Sequence, residues 1–140
     1  MSDEDFDVIG LKIIAFAKGA VVEDGFVAPF GGAISVDGHF IPVKRIQPPD
    51  AADTVESLVN ELVQTFRGLA ASKRIRAAGW CVDVRVVPPG ATEKTDAFIF
   101  HFESSDGQSE LLATPYRGAP GPKTEFAEPY SLKTPPQIFV

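Results

Sequence analysis

The chain has almost none of the residues from which redox and soft-metal chemistry is made. Cys81 is the only cysteine among 140 residues, and histidine occurs twice, at His39 and His101. A single thiol excludes an intramolecular disulfide and any cysteine-based zinc site, and no metal site is assigned from the sequence. Positive charge is also short: 13 Lys and Arg stand against 19 Asp and Glu, for a net charge of −6. A duplex-binding surface must displace counterions with basic side chains, so nucleic acid is not an expected partner. The densest basic cluster, Lys73, Arg74 and Arg76, reads as a solvated helix end.

Long apolar runs are missing too. The stretch from Val8 to Ala17 is broken by Gly10 and Lys12 and is too short to span a bilayer. The first residues, MSDEDFD, are acidic where a secretory signal would be basic. The expectation is a cytoplasmic protein with no membrane partner. Catalytic signatures are absent as well: there is no Ser-His-Asp order, nucleophile elbow, H-E-x-x-H helix or phosphate-cradling G-x-x-x-x-G-K. Pro29-Phe30-Gly31-Gly32 is glycine-rich, but no Lys, Ser or Thr directly follows the glycines to serve a phosphate. It reads as a turn, a bulge or a close backbone approach. No cofactor is implied.

What remains is the pattern of a single α+β domain spanning 1–140. Phe6, Ile9, Ile13, Phe16 and Ala20 recur at spacings of three and four after a capping Asp5, which predicts a first helix ending at Gly19. Asp24-Gly25 and Asp37-Gly38 are hairpin-type turns, bounding strands at about 26–36 and 39–45. Pro42 places the second of these at a sheet edge. After the linker QPPDAAD, Asp53 and Glu56 form an acidic capping box. Val55, Leu58, Val59, Leu62, Val63, Phe66, Leu69 and Ala70 then mark an amphipathic helix over about 53–72. From Ile75 the period changes to two, predicting strands to Val86, over about 96–104, and through Leu111 to Tyr116. The total is two helices and about five antiparallel strands, in the order helix-strand-strand-helix-strand-strand-strand. Residues 117–140 carry five prolines among their 24 residues, which excludes a helix or a central strand. Phe126, Tyr130, Ile138 and Phe139 predict an extended arm, docked on its own domain or a neighbour's.

The segment DAFIFHFESSDG alternates phenylalanines with Ile99, His101 and Glu103. If Val82, Val84 and Val86 share a face with Phe98, Phe100 and Phe102, opposed residues sum to about 184. Asp83 then faces His101, Arg85 faces Ile99 and Cys81 faces Glu103, at about 5 Å between Cβ atoms. Asp83, Arg85, His101 and Glu103 would share the second face, with Tyr116 at the end of the following strand. One reading is a small acid/base or metal constellation. The other is a charge network on a solvated sheet face, which is what apolar-in, polar-out alternation describes by default. By the same alternation, Leu62 and Phe66 of the second helix are expected over the face bearing Val84 and Phe100. Cys81 beside Trp80 reads as a small packed residue, since thiol reactivity needs an exposed, electropositive setting.

FVAPFGGAISVDG, CVDVRVVPPG, DAFIFHFESSDG, TPYR and the closing QIF, in this order from Phe26 to Phe139, resemble a family of small bacterial proteins of unknown function. That family has Glu-His where this chain has Glu103-Ser104, and here the histidine lies two residues earlier, at His101. The resemblance implies an α+β fold and no known chemistry. The element order is also similar to that of roadblock-type regulators of small GTPases, which dimerise and bind partners without catalysis; order alone is an association. The expected function is a non-catalytic binding or regulatory module acting as a homodimer, with a protein partner as a further candidate. The alternative is a small enzyme or ligand-binding protein using Asp83, His101 and Glu103, with Arg85 and Tyr116 orienting a polar substrate.

Overall fold

The computed structural model describes residues 2–44 and 52–139, with side chains from residue 4 onward. The end of the second expected strand at Arg45, most of the Pro48-Pro49 linker and the terminal Val140 lie outside the described residues. Helix α1 (Ser2–Asp24) is followed by β1 (Phe30–Ser35), β2 (Phe40–Val43), α2 (Val55–Ala71), β3 (Ile75–Val86), β4 (Thr95–Ser104) and β5 (Ser109–Arg117). The arm adds β6 (Glu125–Phe126) and β7 (Tyr130–Leu132). The sheet is antiparallel in order β2-β1-β3-β4-β5-β6, and β7 also pairs with β5. This is the expected α+β domain.

The two helices cover opposite faces of the sheet. Ile9, Ile13, Ala17 and Val21 of α1, spaced four apart, pack on Phe30, Ile34, Cys81 and the three β4 phenylalanines. Leu62, Val63 and Phe66 of α2 pack on Ala33, Ala78, Trp80 and Val82. The face expected to meet solvent is therefore a second core. The physical reason is visible in β3: Ala77, Gly79 and Cys81, its alternate residues, are small rather than polar. A strand with two apolar faces wants a cover on each.

The register follows from this. β3 and β4 pair with Trp80 opposite His101, Val82 opposite Ile99 and Asp83 opposite Phe98. Opposed residues sum to 181, not 184, and an odd offset flips every side chain to the other face. Phe98, Phe100 and Phe102 thus share their face with Cys81 and Asp83, whereas His101 and Glu103 share theirs with Trp80 and Val82. Phe66 meets the Trp80 face and not Phe100, which lies under α1.

The glycines make these approaches possible. A Cβ on Gly31 would stand 2.9 Å from the Phe66 ring, and one on Gly79 would stand 2.8 Å from the Phe100 ring and 2.9 Å from Ile9. α1 runs through the exposed Gly19 and stops only at Gly25, which takes φ +86° and donates its N–H to Val21. α1 tolerates both Gly10 and Gly19 because tertiary burial of its inner face holds the helix. Asp5 is not a cap: it lies buried inside α1 and takes a bidentate bond from Arg76 of β3 at 2.9 and 3.0 Å. α2 is capped one residue later than expected, by a reciprocal box between Thr54 and Ser57. No described helix is long and apolar enough to cross a membrane.

Candidate functional site

The flipped register divides the five expected site residues between the two faces. His101 and Glu103 sit on the α2 face of β4 and are both fully buried. Trp80, directly across on β3, stacks on the imidazole with ring centroids 4.9 Å apart and 13° between planes. The Nε2 of His101 lies 2.6 Å from Oε2 of Glu103. An imidazole nitrogen this close to a carboxylate oxygen carries the shared proton in the hydrogen bond.

The cover over this pair is the arm. Pro135 and Pro136 have no N–H, so Gln137, Ile138 and Phe139 supply the first free donors after them, and all three point at one carboxylate. Gln137 N–H donates to Oε2 of Glu103 at 2.7 Å, and Ile138 and Phe139 N–H donate to Oε1 at 2.8 and 3.2 Å. Successive backbone N–H groups around an anion form a nest. The side chain of Ile138 is buried in the α2 cluster, Phe139 packs beside it, and Arg67 of α2 donates to the Gln137 carbonyl. Burial pushes the Glu103 carboxyl upward, but the His101 bond and the three N–H donors outweigh it, so its pKa lies below the ordinary glutamate value. The arm thus docks on its own chain, through this clamp and through β6 and β7 on the free edge of β5.

On the α1 face, Asp83 is half-buried at the end of the phenylalanine row. Both its oxygens lie within reach of the Tyr116 hydroxyl, which donates at 2.7 to 2.8 Å, and Val27 N–H donates to Oδ2 at 3.1 Å. Burial raises the Asp83 pKa, the Tyr116 and Val27 bonds offset part of that, and nearby Asp96 adds to it. Burial and the Asp83 carboxylate together push the Tyr116 hydroxyl well above its usual value. Arg85 belongs to neither group. It is exposed and lies 3.8 Å from Asp96, its cross-strand neighbour. Cys81 is buried under α1, where burial and then Asp83 raise its thiol far from reactivity.

The structure therefore joins His101 to Glu103 and Asp83 to Tyr116, on opposite faces, and leaves Arg85 apart. Trp80, Gln137, Val27 and Arg67 are the partners that reading the sequence missed. The closing Ile-Phe was the signal for the clamp, since apolar anchors must bury against something. Three buried atoms near it make no hydrogen bond among the described residues: Trp80 Nε1, His101 Nδ1 and Gln137 Oε1. Among those residues, no three His, Cys, Asp or Glu side chains gather closely enough to hold a metal ion. No family model, curated protein or solved structure matches this chain.

Proposed function

We propose that this protein is a non-catalytic binding or regulatory module of the cytoplasm that acts as a homodimer. The observation that carries the reading is the occupation of its acid/base groups by the chain itself. Both oxygens of Glu103 are engaged by His101 and the tail, and both oxygens of Asp83 by Tyr116 and Val27. A general base needs a lone pair within reach of substrate, and these carboxylates are turned to holding strands and tail together. The homodimer is supported by α1, which exposes Leu11 at 75% in a helix that also buries Ile9, Ile13, Ala17 and Val21 against the sheet.

Light scattering across concentrations, joined to native mass spectrometry of the purified protein, tests both halves. The expected result is twice 15.0 kDa with no small-molecule adduct. A monomer at every concentration refutes the dimer, and a stoichiometric adduct lost in Asp83→Asn or His101→Asn moves the reading to the alternative, a small enzyme or ligand-binding protein.

One observation favours the alternative, a small enzyme or ligand-binding protein. His101 and Glu103 form a buried imidazole-carboxylate pair whose second ring nitrogen, Nδ1, makes no hydrogen bond among the described residues. Such a pair becomes an acid/base site once its cover lifts. Ligand-dependent loss of tail protection in hydrogen exchange would support that reading over the first.

A further inference from the structure

A groove runs along one flank of α1, lined by Phe6, Leu11 and Ile14 and by Leu112 of β5, with Leu11 its most exposed apolar member. Asp7 stands at one end and Lys18 at the other, and the small residues Gly10 and Ala15 lie between them. Asp7, Leu11, Ile14 and Lys18 follow a spacing of four, three and four. That is the seam of a helix that packs lengthwise against another helix. Ile9, Ile13, Ala17 and Val21 commit the inner face of α1 to the sheet, and Ile14 is half-buried at the margin of that core, so the seam runs along the flank of the helix, where Asp7, Leu11 and Lys18 are exposed.

The arrangement is self-complementary. If a second copy's α1 lies antiparallel in the groove, with the two-fold axis between positions 12 and 13, opposed residues sum to 25. Leu11 then meets the second copy's Ile14, and Ile14 meets the second copy's Leu11. At both ends Asp7 meets the second copy's Lys18. In a two-fold interface every such contact occurs twice, so a helix with acid at one end of its seam and base at the other complements itself only in the antiparallel sense. A parallel pairing would set Asp7 against Asp7 and Lys18 against Lys18. Lys18 is held at its end of the groove, with its ammonium 5.3 Å from the Phe126 ring.

We infer that this flanking seam of α1, with Asp7, Leu11, Ile14 and Lys18 in register, is the site at which a second copy of this chain docks, antiparallel. This rests on the homodimer reading above and gives it an interface.

The test uses full-length chains and charge exchange. Leu11→Asp, at a position exposed in the single chain, should keep the circular dichroism spectrum and weaken dimerisation more than about 100-fold, because two buried leucines are lost per dimer. Asp7→Lys and Lys18→Asp should each weaken it about tenfold, since each sets two like-charged pairs against one another. Mixing those two variants should restore wild-type affinity within about threefold as a heterodimer. The introduced lysine of one chain then faces the introduced aspartate of the other, and the native Asp7 and Lys18 pair at the opposite end. A wild-type monomer at all concentrations would overturn both the homodimer and this interface. A Leu11→Asp protein that dimerises like wild type would overturn the interface while leaving the homodimer in place. A mixture that gains nothing over its components would overturn the antiparallel register.

Discussion

Replacing Glu103 by glutamine removes one charge and one acceptor while keeping the shape of the side chain. The amide oxygen of the introduced glutamine can still take the Ile138 and Phe139 N–H groups. Its NH2 must then occupy the place of Oε2, where it confronts two donors, the Gln137 N–H at 2.7 Å and the His101 ring nitrogen at 2.6 Å. If the imidazole moves its proton to Nδ1, Nε2 becomes an acceptor and only the Gln137 N–H is left unpaired. A buried donor without a partner costs about 1–3 kcal/mol, and a hydrogen bond to a charged group contributes about 1.5–3 kcal/mol. We therefore expect Glu103→Gln to lose about 2.5–6 kcal/mol in urea denaturation, the combined scale of those two effects. The loss should be concentrated at the tail, with the amides of residues 137–139 exchanging much faster while those of β3 keep their order of protection. A variant within about 0.5 kcal/mol of wild type, the scale of an unremarkable surface change, with Ile138 still protected, would refute the clamp.

Further outcomes follow from the same geometry. Phe66→Ala should cost about 3–5 kcal/mol by lost burial and a cavity over Gly31, read as a shift of the urea midpoint. Gly31→Ala should cost about 3 kcal/mol or more, because its methyl group would run into the Gly79 carbonyl oxygen on the paired strand and then press on the Phe66 ring. Tyr116→Phe removes the O–H that favours ionised Asp83, so the Asp83 pKa, followed by NMR titration, should move further above its ordinary value. For Glu103 the sign runs the other way. Its folded pKa is lowered, so its contribution is complete above the ordinary glutamate value of about 4.3. That contribution should fade as pH falls through the lowered value, and the Glu103→Gln protein should lack that acid limb of tail release.

The elements were legible because each rests on local chemistry. The α2 stripe, the Asp37-Gly38 turn (Gly38 at φ +95°) and the prolines of the arm each act within a few residues. The faces were not legible, because strand register is set by what covers each side. Pairing Val82 with the phenylalanine row assumed one wet face. Ala77, Gly79 and Cys81 argued against it, since small apolar residues at alternate positions leave room for the large rings of a facing layer. His101 and Glu103 look like surface residues in the alternation, and only the tail, 34 to 36 residues further on, turns that position into an interior. Asp5 and Arg76 show the same limit. Each has an ordinary local role, as a cap or a solvated helix end, until a contact 71 residues long joins them.

Everything proposed about the polar row depends on its being interior and already engaged. The chain's two histidines offer a direct test, because His39 has an exposed side chain (79%) and His101 has none of its surface open. Native protein treated with diethyl pyrocarbonate and analysed by peptide mass spectrometry should carry its histidine adduct at His39 alone, with His101 modified only after denaturation. Modification of His101 at a rate comparable to His39 in folded protein would put the imidazole in solvent and contradict the account.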